Sequence, residues 1–402
     1  MRYLSRIQST GYSPNELKRS IRPGELTKHR IASTALETAL SALSTRLYST
    51  RFEVGLLKRI PLNDKNLYTP VDFWDIVALR RTAGIVRQFL RHSPPNRAQE
   101  VKSIAGVLST IPRLKTFRCD IKSFFESVDF ATAIEAMTLN GLRNESCVCH
   151  LRKLNERLIN DWGHHGLPRG IAVSSLVADF FIQGVDAAIQ SHPEVLLYSR
   201  YVDDILVIHL GTPSTIEDCI RSAVSRHGLK LNEAKTHHKL FHDDVIEYLG
   251  YALYSGKDEA TEIGIAAKKL NRIKTRLTLS LAAFTKDPDY QLLTERLRFL
   301  TASTRMSSAQ RSKPIHVGIA HTYRSASKRR VLQNLQSLDC FFHGLLSSKR
   351  YRLSARLRSA LSPRQLGELK KFSFVGAYEA NVIISRDEDL LTQITKAWKN
   401  VC

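Results

Sequence analysis

Two adjacent carboxylates, Asp203 and Asp204, sit inside LLYSRYVDDILVIHL (196–210), between the strand-like runs Leu196–Tyr198 and Ile205–Ile208. A carboxylate withdrawn from water without a cation carries a large desolvation cost, so such a pair calls for a cation or for solvent. An exposed turn is the ordinary alternative, because Asp favours turns. The chemical alternative is a strand–turn–strand hairpin that offers carboxylates to divalent metal ions. A third carboxylate, Asp120, ends the strand-like stretch TFRCDI, where LKTFRCDIKSFFESVDF (114–130) turns toward a helix. If the two strands are neighbours, all three aspartates meet at one sheet edge. Hard oxygen ligands suit Mg2+, with Mn2+ as an alternative, and such a site is commonly shared with substrate phosphates. Two ions about 4 Å apart would activate an attacking 3′-hydroxyl and stabilise a leaving pyrophosphate. Without metal, three converging carboxylates raise one another's pKa values.

The elements that must hold these residues are set by periodicity and by Gly and Pro punctuation. Apolar Ile31, Leu36, Leu40, Leu43 and Leu47 predict one helix over Gly24–Leu47, and Pro61 and Pro70 predict loops. Helices are expected over Val71–Arg91, ending before Pro94 and Pro95, and over 97–111, stopped near Pro112. The strand carrying Asp120 comes next, then helices over 123–160 and a Gly/Pro loop, GHHGLPRG, entering a long apolar helix to residue 189. After the Asp203–Asp204 hairpin come a helix (214–227), the segment GLKLNEAKTHHKLF (228–241), and a strand, VIEYLGYAL (245–253), paired with the segment beyond Gly256. Beyond residue 260 the pattern is helical and basic, with clusters at Lys268, Lys269, Arg272, Lys274 and Arg276, and again from Lys328 and Lys349. The fold class is α+β, an antiparallel sheet covered by helices.

The chain has 402 residues, enough for two or three domains. Its net charge of +22 selects a polyanionic partner, with nucleic acid the first candidate, and leaves the chemistry open. Basic ribosome-associated and membrane-surface proteins share that charge. Cys119, Cys147, Cys149, Cys219, Cys340 and Cys402 form no disulfide framework, which suits a reducing cytoplasm. The start, MRYLSRIQST, has no signal-peptide core, and no apolar run is long enough to span a bilayer. A soluble, cytoplasmic protein without a membrane partner is expected.

The ordered set DIKSFFESVDF, GLPRGIAVSSLVADFF, LYSRYVDDILV, GLKLNEAKT and IEYLGY resembles the palm motifs of reverse transcriptases. The resemblance implies a right-hand polymerase. An N-terminal helical extension (1–70) would precede fingers and palm (71–258) and a helical, basic thumb or α-repeat-like C-terminal domain (259–402). It implies RNA-directed DNA polymerase activity with deoxynucleoside triphosphates as substrates and nucleic acid, RNA template or DNA product, as partner. Asp120 and the carbonyl at Ile121 match the first metal position, Asp203 the second, and Asp204 its less strictly coordinating neighbour. Phe125 matches the steric gate that excludes a ribose 2′-hydroxyl, although Phe124 competes for that role. Gly166–Gly170 matches the loop supporting the nascent base pair. Arg169 stands where many members carry Gln, so a guanidinium would reach the incoming triphosphate or the template there, beside Gly170. Ser174 would help at the following helix start. Lys235 matches a lysine near the triphosphate, a proton donor to pyrophosphate. Tyr248, Leu249 and Gly250 resemble the primer grip.

The Leu-Pro-Arg-Gly form, NRAQEVKSIAGVL and RLRFLTAST further resemble the bacterial abortive-infection and unknown-group defence reverse transcriptases. That implies anti-phage defence, with a non-coding RNA template or, in other members, template-independent or protein-primed synthesis. A partner protein and homo- or hetero-oligomers are implied as well. The rival from another class is a non-catalytic nucleic-acid-binding scaffold with a polymerase fold, against which the intact Asp120, Asp203 and Asp204 speak. Cys147, Cys149, His150, His164 and His165 lack zinc-ligand spacing. His237, His238 and His242 suit phosphate or solvent better than metal. No feature selects a priming hydroxyl among Tyr198, Tyr201 and Tyr351.

Overall fold

The computed structural model describes residues 11–22, 24–49, 52–62, 64–91, 96–111, 113–256, 260–306, 315–386 and 388–399. The start MRYLSRIQST, the stops at Pro94, Pro95 and Pro112, and Cys402 lie outside the described residues. Contacts divide the chain into two compact units: 1–95 with 115–239, and 96–114 with 240–402.

The first unit begins with helices α1 (Pro14–Ser20), α2 (Glu25–Lys28) and α3 (Ser33–Tyr48). The single helix expected over 24–47 is therefore broken. Arg30 adopts φ 55° and the Ile31 N–H returns to the Leu26 carbonyl, which closes α2 before α3 starts. Pro61 and Pro70 do not make loops. They lie in an antiparallel pair, β1 (Leu57–Leu62) and β2 (Lys65–Pro70), with Pro61 opposite Asn66. A two-stranded ribbon has only edge strands, where a missing N–H is tolerated.

Helix α4 (Phe73–Leu90) starts where the Asp72 carboxylate accepts the N–H groups of Trp74 and Asp75. After it in this unit come β3 (Lys115–Asp120), the short α6 (Phe124–Ser127), α7 (Phe130–Leu139) and α8 (Glu145–Trp162), with α5 (Arg97–Leu108) belonging to the second unit. The long apolar helix is split at Ile182 into α9 (Ser174–Phe181) and α10 (Gln183–Gln190). Then come β4 (Val195–Tyr201), β5 (Asp204–His209), α11 (Pro213–Arg226) and β6 (His237–Leu240). The sheet order is β4-β5-β3-β6, with β5 antiparallel to both β4 and β3. Ile205, Leu206, Val207 and Ile208 are all fully buried, as the unbroken apolar run requires of a central strand. The core is continuous from Leu17 and Leu40 through Val77, Phe117 and Phe124 to Val207.

In the second unit, β7 (Ile246–Tyr248), β8 (Tyr251–Ser255) and β9 (Thr261–Ile265) form an antiparallel meander: the single strand expected over 245–253 folds back at Leu249 and Gly250, and β9, beyond Gly256, pairs with its second part. Helices α12 (Ala267–Lys286) and α13 (Tyr290–Thr301) come next, and α15 (Lys328–Ser347) lies after the one-turn α14 (Ile319–Thr322). A small mixed sheet, β11-β10-β12, accompanies the helices of this mainly helical part. It comprises β10 (Ser303–Met306), β11 (Ile315–Val317) and β12 (Ile383–Arg386). Among the described residues no helix is long and apolar enough to cross a membrane.

Candidate active site

Antiparallel register decides which aspartates meet. Asp120 is the direct partner of Asp204 across β3 and β5, and Tyr201 is the partner of Asp204 across β4 and β5. The Ile121 N–H donates to the Asp203 carbonyl at 3.0 Å, so the β4–β5 turn is fastened to the end of β3. The other side of that end is fastened by the Asn232 N–H to the Asp120 carbonyl, 2.7 Å, and by the Lys122 N–H to the Lys230 carbonyl, 2.8 Å. All three aspartates therefore share one sheet edge.

Their carboxylates have different partners. Asp120 accepts from Asn232 Nδ2 at 3.2 Å and from Lys235 Nζ at 3.0 Å. Asp204 is gripped by Arg118, Nε to Oδ1 at 2.9 Å and Nη2 to Oδ2 at 2.8 Å, a fork-to-fork pair. Burial and the Asp120 charge, with a smaller contribution from Asp204, push the Asp203 carboxyl above the usual range. Its own backbone N–H and Lys235 only partly oppose them. Among the described residues, no three His, Cys, Asp or Glu side chains are grouped to hold one metal ion. Asp203 is thus a carboxylate short of positive charge beside Asp120, which has Lys235 as its cation, and two carboxylates of this kind suit a hard divalent cation. Asp204 has its charge balanced already. Asp204→Asn is accordingly expected to reduce initial rates of nucleotide incorporation only about tenfold, roughly one factor of ten per 1.4 kcal/mol. Asp203→Asn assayed beside it gives the comparison, and equal losses would remove the distinction.

The turn carrying Asp203 is strained. Val202 adopts φ 62°, which a β-branched residue rarely does. Arg200 holds it in place: Nη1 donates to the Val202 carbonyl and to Asp179, each at 3.0 Å, while Nε and Nη2 grip Asp186 at 2.8 and 2.9 Å. Tyr198 donates its hydroxyl to the same Asp186, which occupies that candidate priming group.

The GLPRG loop is stapled to α6 and to β2. Leu167 N–H reaches the Phe125 carbonyl at 2.7 Å, and a Cβ on Gly166 would lie 2.8 Å from Glu126 Cα. Tyr68 N–H donates to the Arg169 carbonyl at 2.7 Å; Gly170, at φ 93°, has the Tyr68 carbonyl where a Cβ would be. Ser174 is buried and donates to the Pro168 carbonyl, so it braces the loop. Phe124 is fully buried, whereas Phe125 is only half-buried. Arg169 lies over the Phe125 ring, 4.7 Å to its centroid, and pairs with Glu126 through Nε and Nη2 at 2.7 and 3.1 Å. Burial pushes the Glu126 carboxyl up, but the Arg169 hydrogen bonds and the Arg169 and Lys65 charges outweigh it and hold it low.

Cys147 and His150 are buried, with His150 bonded to Thr82. His238 Nε2 faces Glu217 at 3.0 Å, and His242 lies beside Asp243.

The primer-grip candidates lie in the second unit. Tyr248 pairs with Tyr251 across a two-residue turn whose Leu249 and Gly250 both have positive φ, 52° and 88°. Tyr323 donates to the Gly250 carbonyl at 2.7 Å, and Tyr251 to the Thr322 carbonyl at 2.9 Å. Next to this turn is a cleft of about 590 Å3 that Arg97, Lys269, Arg272 and Arg276 line together with Leu249 and Tyr251. Among the described residues, no carboxylate is in its lining. Burial and the charges of Arg272, Arg97, Arg276 and Lys268 push the Lys269 ammonium below its usual pKa.

Arg118, Glu126, Arg200 and Asn232 were not among the sequence candidates. Arg118 was readable in principle, since it stands two residues before Asp120 and shares its strand face. Asp179 and Asp186 are seven apart along α9 and α10, a polar stripe on otherwise apolar helices that asks for a buried cation. Asn232 left no such signal.

Residues 88–253 match the family model described as Reverse transcriptase (RNA-dependent DNA polymerase). No curated protein matches the chain. Among solved structures, it is similar to apo telomerase from Candida tropicalis (TM-score 0.41, 14% identity, covering 88% of this chain and 68% of that one). A C-terminally truncated form of that telomerase aligns at TM-score 0.37 and 14% identity over 52% of this chain and 54% of that one. This chain thus spans about half its length. Telomerase from Candida albicans, in complex with a TWJ fragment of telomeric RNA, aligns at TM-score 0.37 and 14% identity over 89% of this chain and 63% of that one. The match to the reverse transcriptase model thus covers the stretch that carries Asp120, Asp203 and Asp204, in a fold of helices and mainly antiparallel sheets.

Proposed function

We propose that this chain is an RNA-directed DNA polymerase that adds deoxynucleotides to a 3′-hydroxyl at the edge of β3 and β5. The observation that carries the reading is the register placing Asp120 opposite Asp204, with Asp203 fastened beside it, inside the reverse transcriptase domain. Asp120 and Asp203 would hold the divalent ions, Mg2+ or Mn2+, and Asp204 is kept beside them by Arg118. When bound, two such ions supply nucleophile activation and charge stabilisation for in-line displacement. Lys235, its side chain 60% exposed and its Nζ 3.0 Å from Asp120, protonates the leaving pyrophosphate. Phe125 serves as the gate against a 2′-hydroxyl. The primer-grip turn and the cationic cleft of the second unit bind nucleic-acid phosphates, in keeping with the +22 charge. The narrower reading, bacterial anti-phage defence with a non-coding RNA template, is supported by the motif resemblance alone.

Purified protein given an RNA template, an annealed DNA primer, deoxynucleoside triphosphates and Mg2+ is expected to extend the primer to the template end. Complex formation should weaken steeply between about 50 and 200 mM salt, because neutralised phosphates release counterions. Products of fixed composition that survive ribonuclease treatment of the template would replace this reading with template-independent synthesis.

A further inference from the structure

Phe125 sits on α6, four residues long, entered from Ser123 at φ 48°. One helical turn has little stability of its own, so the ring's position depends on what is packed against it. Phe124 anchors the turn in the core, whereas Phe125 is half-buried at the core's edge and meets Phe124 edge-on, with 6.1 Å between centroids. A half-exposed ring that can rotate aside makes a soft barrier to a 2′-hydroxyl. What stiffens this one further is Arg169, whose guanidinium carbon lies 4.7 Å over the ring centroid while Nε and Nη2 are fixed by Glu126 on the same turn. The Arg169 backbone is in turn tied to β2 through the Tyr68 N–H, and the loop to α6 through the Leu167 N–H. Guanidinium, carboxylate and ring close a small circuit from two consecutive positions of α6 and one of the loop. The two nitrogens that would serve a triphosphate as a fork are the two that Glu126 occupies.

We infer that Arg169 and Glu126 are specificity-determining positioning residues: together they brace Phe125, so that the chain discriminates deoxyribose from ribose through a stiffened ring. This rests on the reading of Phe125 as the gate. The circuit gives Arg169 a role in sugar selection that a glutamine could not fill, because Gln has neither a cationic plane to cover the ring nor a fork for the carboxylate.

The experiment measures kcat/KM for a deoxynucleoside triphosphate and for the ribonucleotide of the same base. It compares wild type, Arg169→Gln, Arg169→Lys, Glu126→Gln, Phe125→Ala and the double variant Phe125→Ala/Arg169→Gln, each checked by thermal melting. The expected result is a fall of about tenfold in the deoxy-to-ribo ratio for Arg169→Gln and Glu126→Gln, arising from faster ribonucleotide use. Lys at 169 should not restore it. The double variant should match Phe125→Ala, because a brace has no effect once the ring is gone. If Phe125→Ala lowers the ratio while Arg169→Gln and Glu126→Gln keep it, the brace is overturned and the gate stands. If Phe125→Ala itself leaves the ratio unchanged, the gate reading falls and the brace with it. Equal losses for both sugars in Arg169→Gln would assign the arginine to the triphosphate instead. Glu126→Gln is nearly isosteric and keeps the test decisive should the arginine variants fold poorly.

Discussion

Asp203→Asn is expected to lower Mg2+-dependent deoxynucleotide incorporation by about a thousandfold or more, the scale of losing a principal charge-stabilising group. The same substitution should make the metal-free protein more stable. Asp203 is half-buried and faces the charge of Asp120, so its carboxyl is raised in the folded chain. A raised carboxyl binds its proton more tightly folded than unfolded, so stability falls as pH climbs through the unfolded and then the folded value. Below about pH 4, near the ordinary aspartate pKa, the group is protonated in both states and the penalty is absent. At neutral pH it is complete. Asn carries no charge, so in chelator-treated buffer the variant should melt above wild type at pH 7, and the gap should close toward pH 4. Added Mg2+ should raise the wild-type melting temperature at pH 7 and leave the variant unmoved, because a ligand stabilises only the state it binds. An unchanged Mg2+ response in the variant would take Asp203 out of the metal site. In a phage challenge, cells carrying the variant should lose whatever protection the wild-type gene confers; equal plaque counts for wild-type and empty-vector cells would remove the defence reading.

Arg200→Ala should act on stability and rate together. Arg200 is 12% exposed and balances two carboxylates, Asp179 and Asp186, that are themselves 22% and 18% exposed. Breaking a buried pair by removing one partner typically costs about 3–5 kcal/mol, since a charge is left uncompensated. For a domain of this size that is a fall in Tm of roughly 10 °C. The Val202 carbonyl would lose its guanidinium donor at the same time, while Val202 stays in a region of φ it avoids. Relaxation of that turn displaces Asp203, and a displacement of about 1 Å can cost about a hundredfold in rate. Adding Val202→Gly separates the two effects. Glycine takes positive φ without strain, so the double variant should recover part of the rate while the melting temperature stays low. If rate and melting temperature move strictly together in all three proteins, Arg200 is a stability residue only.

The domain and its carboxylates were legible from order and spacing. Five motifs in sequence lie within residues 88–253, the stretch that matches the reverse transcriptase model, and the strand-like runs around Asp203 and Asp204 located the central hairpin, because an unbroken apolar run has few places to go but a sheet interior. The β1–β2 ribbon was hidden by Pro61 and Pro70, which read as loop signals unless the strand is known to be an edge. The break after α2 was hidden because periodicity carries across a turn that one left-handed residue makes. Phe124 and Phe125 could not be told apart by composition. Burial assigns one to the core and leaves the other at the surface of the turn.

By itself, then, the amino-acid order determined that Asp203 and Asp204 lie between two strands and that Asp120 ends another, since strand period and apolar runs are local properties of the chain. Only the tertiary structure decided how the charges are paired. Asp204 is balanced by Arg118, Asp120 is served by Asn232 and Lys235, Asp203 is left short of positive charge, and Arg169 is spent on Glu126 and the Phe125 ring. These partners lie up to 115 positions apart in the chain. Coulomb interactions and hydrogen bonds depend on distance in space, and for such pairs that distance is set by sheet register and loop packing.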